Sequence, residues 1–148
     1  ISMYLADKHP EANLSPALDD PQRWEYLQWM TYLTNTLQET MLLKRYSSGY
    51  TTDTDTSAVS DSATSRLNQI LQVLEVGLEK HGGPFLLGNN LSTADIYLNM
   101  VLGWDPDIGA GARETKDWPN VTKNYDALFS REDVAKILLE NDFPGPAS

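Results

Sequence analysis

The stretch Pro84-Phe-Leu-Leu-Gly-Asn-Asn-Leu-Ser-Thr-Ala-Asp-Ile-Tyr97, which runs into the apolar segment Leu98 to Trp104, constrains the fold more than any other part of the chain. It has the form of a complete helix start. Ser92 stands where a hydroxyl can accept from the backbone N–H three residues on, and Asp95 can reach back to the Ser92 N–H. Leu91 before the cap and Ile96 at the fourth helical position have the spacing of a hydrophobic staple. The residues that follow, Ala94, Ile96, Tyr97, Leu98, Met100, Val101 and Leu102, are apolar on nearly every side, so this helix is expected at the centre of a core. It is too short to cross a bilayer, which takes roughly 20 apolar residues.

One core is the default for 148 residues. The balance of 11 Lys+Arg against 21 Asp+Glu, a net charge of −10, argues against nucleic acid or an anionic membrane as partner, since both reward clustered positive charge. The absence of cysteine removes disulfides, thiolate metal sites and a cysteine nucleophile, and suits a reducing, cytoplasmic setting. The Asn-x-Ser/Thr triplets at Asn13, Asn90 and Asn120 are read as incidental. The opening Ile1-Ser-Met-Tyr-Leu-Ala-Asp-Lys-His-Pro10 has the pattern of the last turns of an amphipathic helix stopped by proline, and a chain that opens inside a helix is expected to be a piece of a longer one.

Beyond a loop from Glu11 to Asp19, Asp20-Pro21 signals a helix start, and Tyr26, Trp29, Met30, Leu33, Leu37 and Met41 form one apolar stripe over a helix from Gln22 to about Arg45. Trp24 and Leu27 fall outside that stripe, so this helix is expected either to bury a second surface on something outside the chain or to be wrapped by one large core. The Ser/Thr-rich segment from Ser47 to Ser65 is expected to be a polar connection or frayed helix ends. Its Asp53-Thr-Asp55 pair begins like a calcium loop, but Ala58 and Thr64 stand where glycine and the bidentate glutamate are needed. A second helix is predicted from Arg66 to His81, with Leu67, Ile70, Leu71, Leu74 and Leu78 inward. Lys80 and His81 suit the negative end of its dipole, Gly82 suits a left-handed cap, and His9 is read like His81. Gly109-Ala-Gly111 follows a helix and lacks a third glycine, so it is not a phosphate loop. Trp118-Pro119 opens a further helix, with Val121, Tyr125, Leu128 and Phe129 inward. Ser130-Arg-Glu-Asp133 repeats the capping-box spacing before a last helix bearing Val134, Ile137, Leu138 and Asn141. No segment alternates with a period of two, so the fold class is all-α, a helical bundle of about five helices and a stub.

Several of these residues carry a resemblance to a known family. Tyr4-Leu-Ala-Asp-Lys-His-Pro10, Gln28-Trp29, Phe85-Leu-Leu-Gly-Asn-Asn-Leu-Ser-Thr-Ala-Asp-Ile96, and Trp118-Pro-Asn120 with Arg131 and Val134 resemble the C-terminal half of a cytosolic glutathione transferase. The Tyr97-Leu-x-x-Val-Leu-x-Trp104 run is similar to the bacterial beta-type members. The resemblance implies that residues 1–10 are the remnant of the last helix of a thioredoxin-like domain with its linker, and that residues 11–148 are the helical domain. It further implies that the glutathione site and the catalytic Tyr, Ser or Cys lie outside this chain, so that no catalytic residue and no metal site are assigned here.

The resemblance also implies a pocket wall. Thr36, Gln38, Glu39 and Met41 on the first long helix, and Trp104 at the end of the central one, are expected to bind a hydrophobic electrophile. Beta-type proteins often carry His-Lys where this chain has Gln38-Glu39, and a glutamate there would disfavour a nearby thiolate. Glutathione is the implied co-substrate and a homodimer the implied assembly. A reading of another class is a non-enzymatic helical interaction domain. In either reading Leu91, Ser92, Asp95 and Ile96 are structural.

Overall fold

A computed structural model of the chain describes residues 1–105 and 117–141. The regular elements among the described residues are all helices, with one isolated backbone pairing between Phe85 and Gly88. A short helix α1 (Ser2–Lys8) and a 3₁₀ turn (Pro10–Ala12) lead to α2 (Arg23–Tyr32). A π turn (Leu33–Leu37) then joins α2 to α3 (Gln38–Arg45) with helical backbone on both sides, so the two form one long element. The order continues through α4 (Ser57–Lys80), α5 (Thr93–Leu102), α6 (Pro119–Phe129) and α7 (Glu132–Glu140). The all-α expectation of five helices and a stub is met, with the first long helix interrupted by the π turn. The glycine-rich stretch between 106 and 116 and the tail from 142 lie outside the described residues.

The predicted stripe of the long helix is the core. Tyr26, Met30, Leu33, Leu37 and Met41 are buried against Leu67, Ile70, Leu71, Leu74 and Leu78 of α4 and Ala94, Leu98, Val101 and Leu102 of α5. Glu25 at one end of the long element bonds Lys80 and His81, and Glu39 near the other end bonds Arg66, so α2–α3 and α4 run antiparallel. Their approach is close: a Cβ on Gly77 would come within 2.4 Å of the Trp29 ring. Trp24 and Leu27, off the stripe, are 62% and 37% exposed.

Three expectations need correction. Helix α4 begins at Ser57, not at Arg66, because Ala63 is fully buried one turn before Leu67 and the Asp55 carboxylate accepts the Ser57 N–H at 2.9 Å. The polar residues that disguise this first part of α4 face solvent. Ser130 does not open α7; it closes α6, with its hydroxyl donating to the Ala127 carbonyl at 3.2 Å, while Asp133 bonds Arg131 and the Val134 N–H. Helix α5 is buried along a broad face and not all round: Ile96 and Met100, one turn apart, are 39% and 46% exposed, and Leu91 is half-buried.

At the start of the long helix, Asp20 accepts the Gln22 N–H at 2.7 Å although the α-helix itself begins at Arg23. Asp7 of α1 holds Arg23 through two contacts of 2.7 Å, which ties the N-terminal stub to the bundle.

The clasp between α2 and α4 has a pH signature. Burial by itself raises the Glu25 carboxyl, but its bonds to Lys80 (2.8 Å) and His81 (3.1 and 3.2 Å) outweigh burial and hold it below the ordinary glutamate value of 4.5. A carboxyl depressed on folding contributes stability above its unfolded value, and that contribution is lost as pH falls through the folded value. Urea unfolding at pH 6 and at pH 3.5 should therefore show a smaller acid loss for Glu25→Gln than for the wild type. An equal loss would place the acid sensitivity elsewhere.

Candidate functional site

Two arrangements of polar groups stand out, and they do different work. The first surrounds the start of α5. Ser92 and Asp95 complete the capping box: the Ser92 N–H and hydroxyl donate to Asp95 Oδ2 at 3.0 and 2.8 Å, and the Ala94 N–H donates to Ser92 Oγ at 3.3 Å. Asp95 is fully buried, and its other oxygen accepts from the Leu86 N–H at 2.8 Å and from Asn124 of α6 at 2.9 Å. Asn124 also donates to the Pro84 carbonyl and accepts from Asn99, whose amide donates in turn to the Asp95 carbonyl. Burial pushes the Asp95 carboxyl above the ordinary aspartate range, opposed by the donors from Leu86, Ser92 and Asn124. The preceding loop closes on itself through reciprocal Phe85–Gly88 backbone bonds of 3.0 and 2.9 Å. Tyr26 and Thr93 share a hydroxyl bond of 2.6 Å, which locks α5 onto the long helix. The carboxylate, hydroxyl and amide groups here bond one another and the backbone, so the arrangement is a fastening.

The second arrangement is the seam between α3 and α5. The Tyr97 hydroxyl donates to Gln38 Oε1, Arg45 donates to the Trp104 carbonyl at 2.9 Å, and Lys44 pairs with Asp105 just beyond α5. Gln38, Tyr97 and Trp104 are all half-buried, with the two rings packed on the core. Burial pushes the Tyr97 phenol above the ordinary tyrosine range, so its hydroxyl keeps its proton at neutral pH and acts as donor.

The residues expected in the pocket separate along this seam. Gln38 and Trp104 are brought to it from opposite helices. Met41 is 3% exposed and belongs to the core; Thr36 is half-buried within the π turn. Glu39 turns the other way, toward α4, where Arg66 donates to it at 3.2 Å. Among the described residues no group of His, Asp or Glu could hold a metal ion, and no helix is long and apolar enough to cross a membrane. Tyr97 and Asn124 were not singled out as site residues from sequence. Asn124 occupies an inward position of α6 between Val121 and Leu128, and a polar residue at an apolar-face position was the available signal.

With the helical architecture and the α3–α5 seam established, comparison with known proteins assigns the family. A model of the glutathione S-transferase C-terminal domain matches residues 29–140. This chain belongs to that family. No curated protein sequence matches it. Among solved structures, a glutathione transferase of Methylococcus capsulatus is 26% identical with a TM-score of 0.77, the match covering 95% of this chain and 64% of that one. BphK, a bacterial GST solved as a ternary complex, is 26% identical with a TM-score of 0.76, covering 95% and 65%. The beta-class enzyme of Sphingomonas chungbukensis shares the fold at 21% identity, with a TM-score of 0.73 and coverage of 97% and 66%. This chain thus spans just under two thirds of the transferases it matches.

Proposed function

We propose that this chain is the helical, pocket-forming half of a glutathione transferase that joins glutathione to hydrophobic electrophiles. In this reading residues 1–10 are the end of a thioredoxin-like domain and its linker, and the assembly is a cytoplasmic homodimer. The observation that carries the reading is the α3–α5 seam, where Tyr97 bonds Gln38 and Arg45 bonds the Trp104 carbonyl, in a domain of this family. The share of the transferases that the chain covers leaves room for a glutathione-binding half outside it.

The division of labour follows from chemistry. Conjugation needs a thiol with its pKa lowered toward neutrality, and then an electrophile held against it. Helices α3 and α5 supply the surface for the electrophile, with Gln38 and Trp104 on its wall and Met41 in the core behind it. Glu39 is paired with Arg66 on the side facing α4, so its charge is directed away from Gln38 and Tyr97 and its penalty on a thiolate is reduced. No residue of the chain is assigned to thiol activation. The purified 148-residue chain is accordingly expected to give no turnover of chlorodinitrobenzene with glutathione, whereas a protein carrying it behind a thioredoxin-like domain is expected to conjugate the two. Turnover by the chain alone would overturn this division.

A further inference from the structure

The long helix is held at both ends, and its two ends are not in one α-helical register. Upstream, Glu25 bonds Lys80 and His81, Tyr26 shares its hydroxyl bond with Thr93, and the Trp29 ring lies where a Cβ on Gly77 would meet it. Downstream, Gln38 accepts from Tyr97, Glu39 accepts from Arg66, and Lys44 pairs with Asp105. Between these two sets of contacts the π turn carries the Gln38 N–H to the Leu33 carbonyl, five positions back, where α winding would reach four. Such a turn takes up one residue more than an α-helix needs over the same path. Leu33 and Leu37 of the turn are buried, whereas Asn35 is exposed, and its side chain has a long 3.5 Å contact with the Thr34 hydroxyl.

We propose that the π turn is a register-setting device: it absorbs one surplus residue at Asn35, and so directs Gln38 to Tyr97, Glu39 to Arg66 and Lys44 to Asp105. Were α2 to run on into α3 as unbroken α-helix, each position in α3 would be taken by the residue before it, a rotation of about 100°. Glu39 would then enter the place of Thr40, which is fully buried, and an unpaired charge there is costly. Leu37 would replace Gln38 opposite Tyr97, and Leu43 would replace Lys44 opposite Asp105. The inference concerns how the side chains of α3 are aimed; it goes beyond the pocket reading above and stands whether or not the seam binds an electrophile.

The test is deletion of Asn35 from the 148-residue chain, compared with deletion of Gln28, which is exposed on the same helix about two turns earlier. Removing Asn35 leaves the Gln38 N–H and the Leu33 carbonyl as an ordinary α-helical pair, so the contacts on either side are kept. This variant should melt within about 3 °C of the wild type or above it, the effect of a surface change that leaves packing intact. NMR should find the Gln38 side chain still against the Tyr97 ring, and coupling through the hydrogen bond should join the Gln38 nitrogen to the Leu33 carbonyl carbon in both proteins. Removing Gln28 instead displaces Trp29, Met30 and Leu33 from their packed positions, and should lower the melting temperature by about 10 °C or more, or abolish folding. An Asn35 deletion that fails to fold, melts as low as the Gln28 deletion or loses the Gln38–Tyr97 contact would overturn the inference. Equal tolerance of the two deletions would overturn it as well.

Discussion

Replacing Asp95 with alanine is expected to lower the unfolding free energy by about 4 kcal/mol, since each buried donor left without its acceptor costs about 1–3 kcal/mol. Four donors converge on this carboxylate, from the Leu86 and Ser92 backbones, the Ser92 hydroxyl and Asn124. Two of them have an escape. The Ser92 hydroxyl can rotate, and Asn124 keeps the Pro84 carbonyl. The two backbone N–H groups have none, because both sit beside a residue that is at most 2% exposed. Ser92→Ala should cost only the usual amount for a lost N-cap, about 0.5–2 kcal/mol, because Asp95 still receives its remaining donors. Paired urea and thermal melts separate the two variants: at about 3 °C per kcal/mol for a chain of this size, Asp95→Ala should melt about 12 °C low. Equal losses for the two variants would show that the capping box acts locally and that the wider network contributes little.

Gly83→Ala is expected to be nearly as damaging, at about 3 kcal/mol, the upper end of the usual range for an overpacked site. A Cβ at this position would lie 2.2 Å from the carbonyl carbon and oxygen of Gly88 and 2.8 Å from the Asn89 nitrogen. Those atoms are backbone, and they belong to the loop that the Phe85–Gly88 bonds close and that carries buried Leu86 and Leu87. Relief therefore requires the loop to move, and with it the Leu86 N–H that donates to Asp95. Gly49→Ala is the control: nothing lies within 4 Å of its Cβ position, so chemical denaturation should find it within about 0.5 kcal/mol of the wild type. If Gly83→Ala melts with the control, the loop is softer than its hydrogen bonds indicate.

Features that depend on near neighbours in the chain were legible in the sequence. The Ser92–Asp95 spacing, the apolar stripe from Tyr26 to Met41 and the inward face of α4 all follow from a helical period acting over a few turns. What stayed hidden depends on partners brought together by folding. Nothing local in Asp95 announces Asn124, 29 residues later, and this is why reading the cap from sequence alone gives it the value of an ordinary N-cap. The Ser/Thr-rich start of α4 was obscured by composition, since one buried alanine and one capping aspartate decide it. The π turn is a change of backbone hydrogen-bond register that leaves the side-chain stripe almost undisturbed, so periodicity does not detect it. At the seam, sequence resemblance supplied the candidates, but only the arrangement of helices separates Gln38, turned toward Tyr97, from Glu39, turned toward Arg66.

Glu75 shows what such distant dependence means for a single helix. Helix α6 has no side-chain cap of its own; the N–H groups of Asn120 and Val121 are accepted by the Glu75 carboxylate of α4 at 2.7 and 3.1 Å. At 11 residues α6 is also shorter than the ~12–15 that hold a helix in isolation. Its first turn is therefore completed by a residue the ribosome makes 45 positions earlier. The cap of α6 is thus available only where α4 is already in place beside it, so the first turn of α6 is stable as part of the bundle and not by itself.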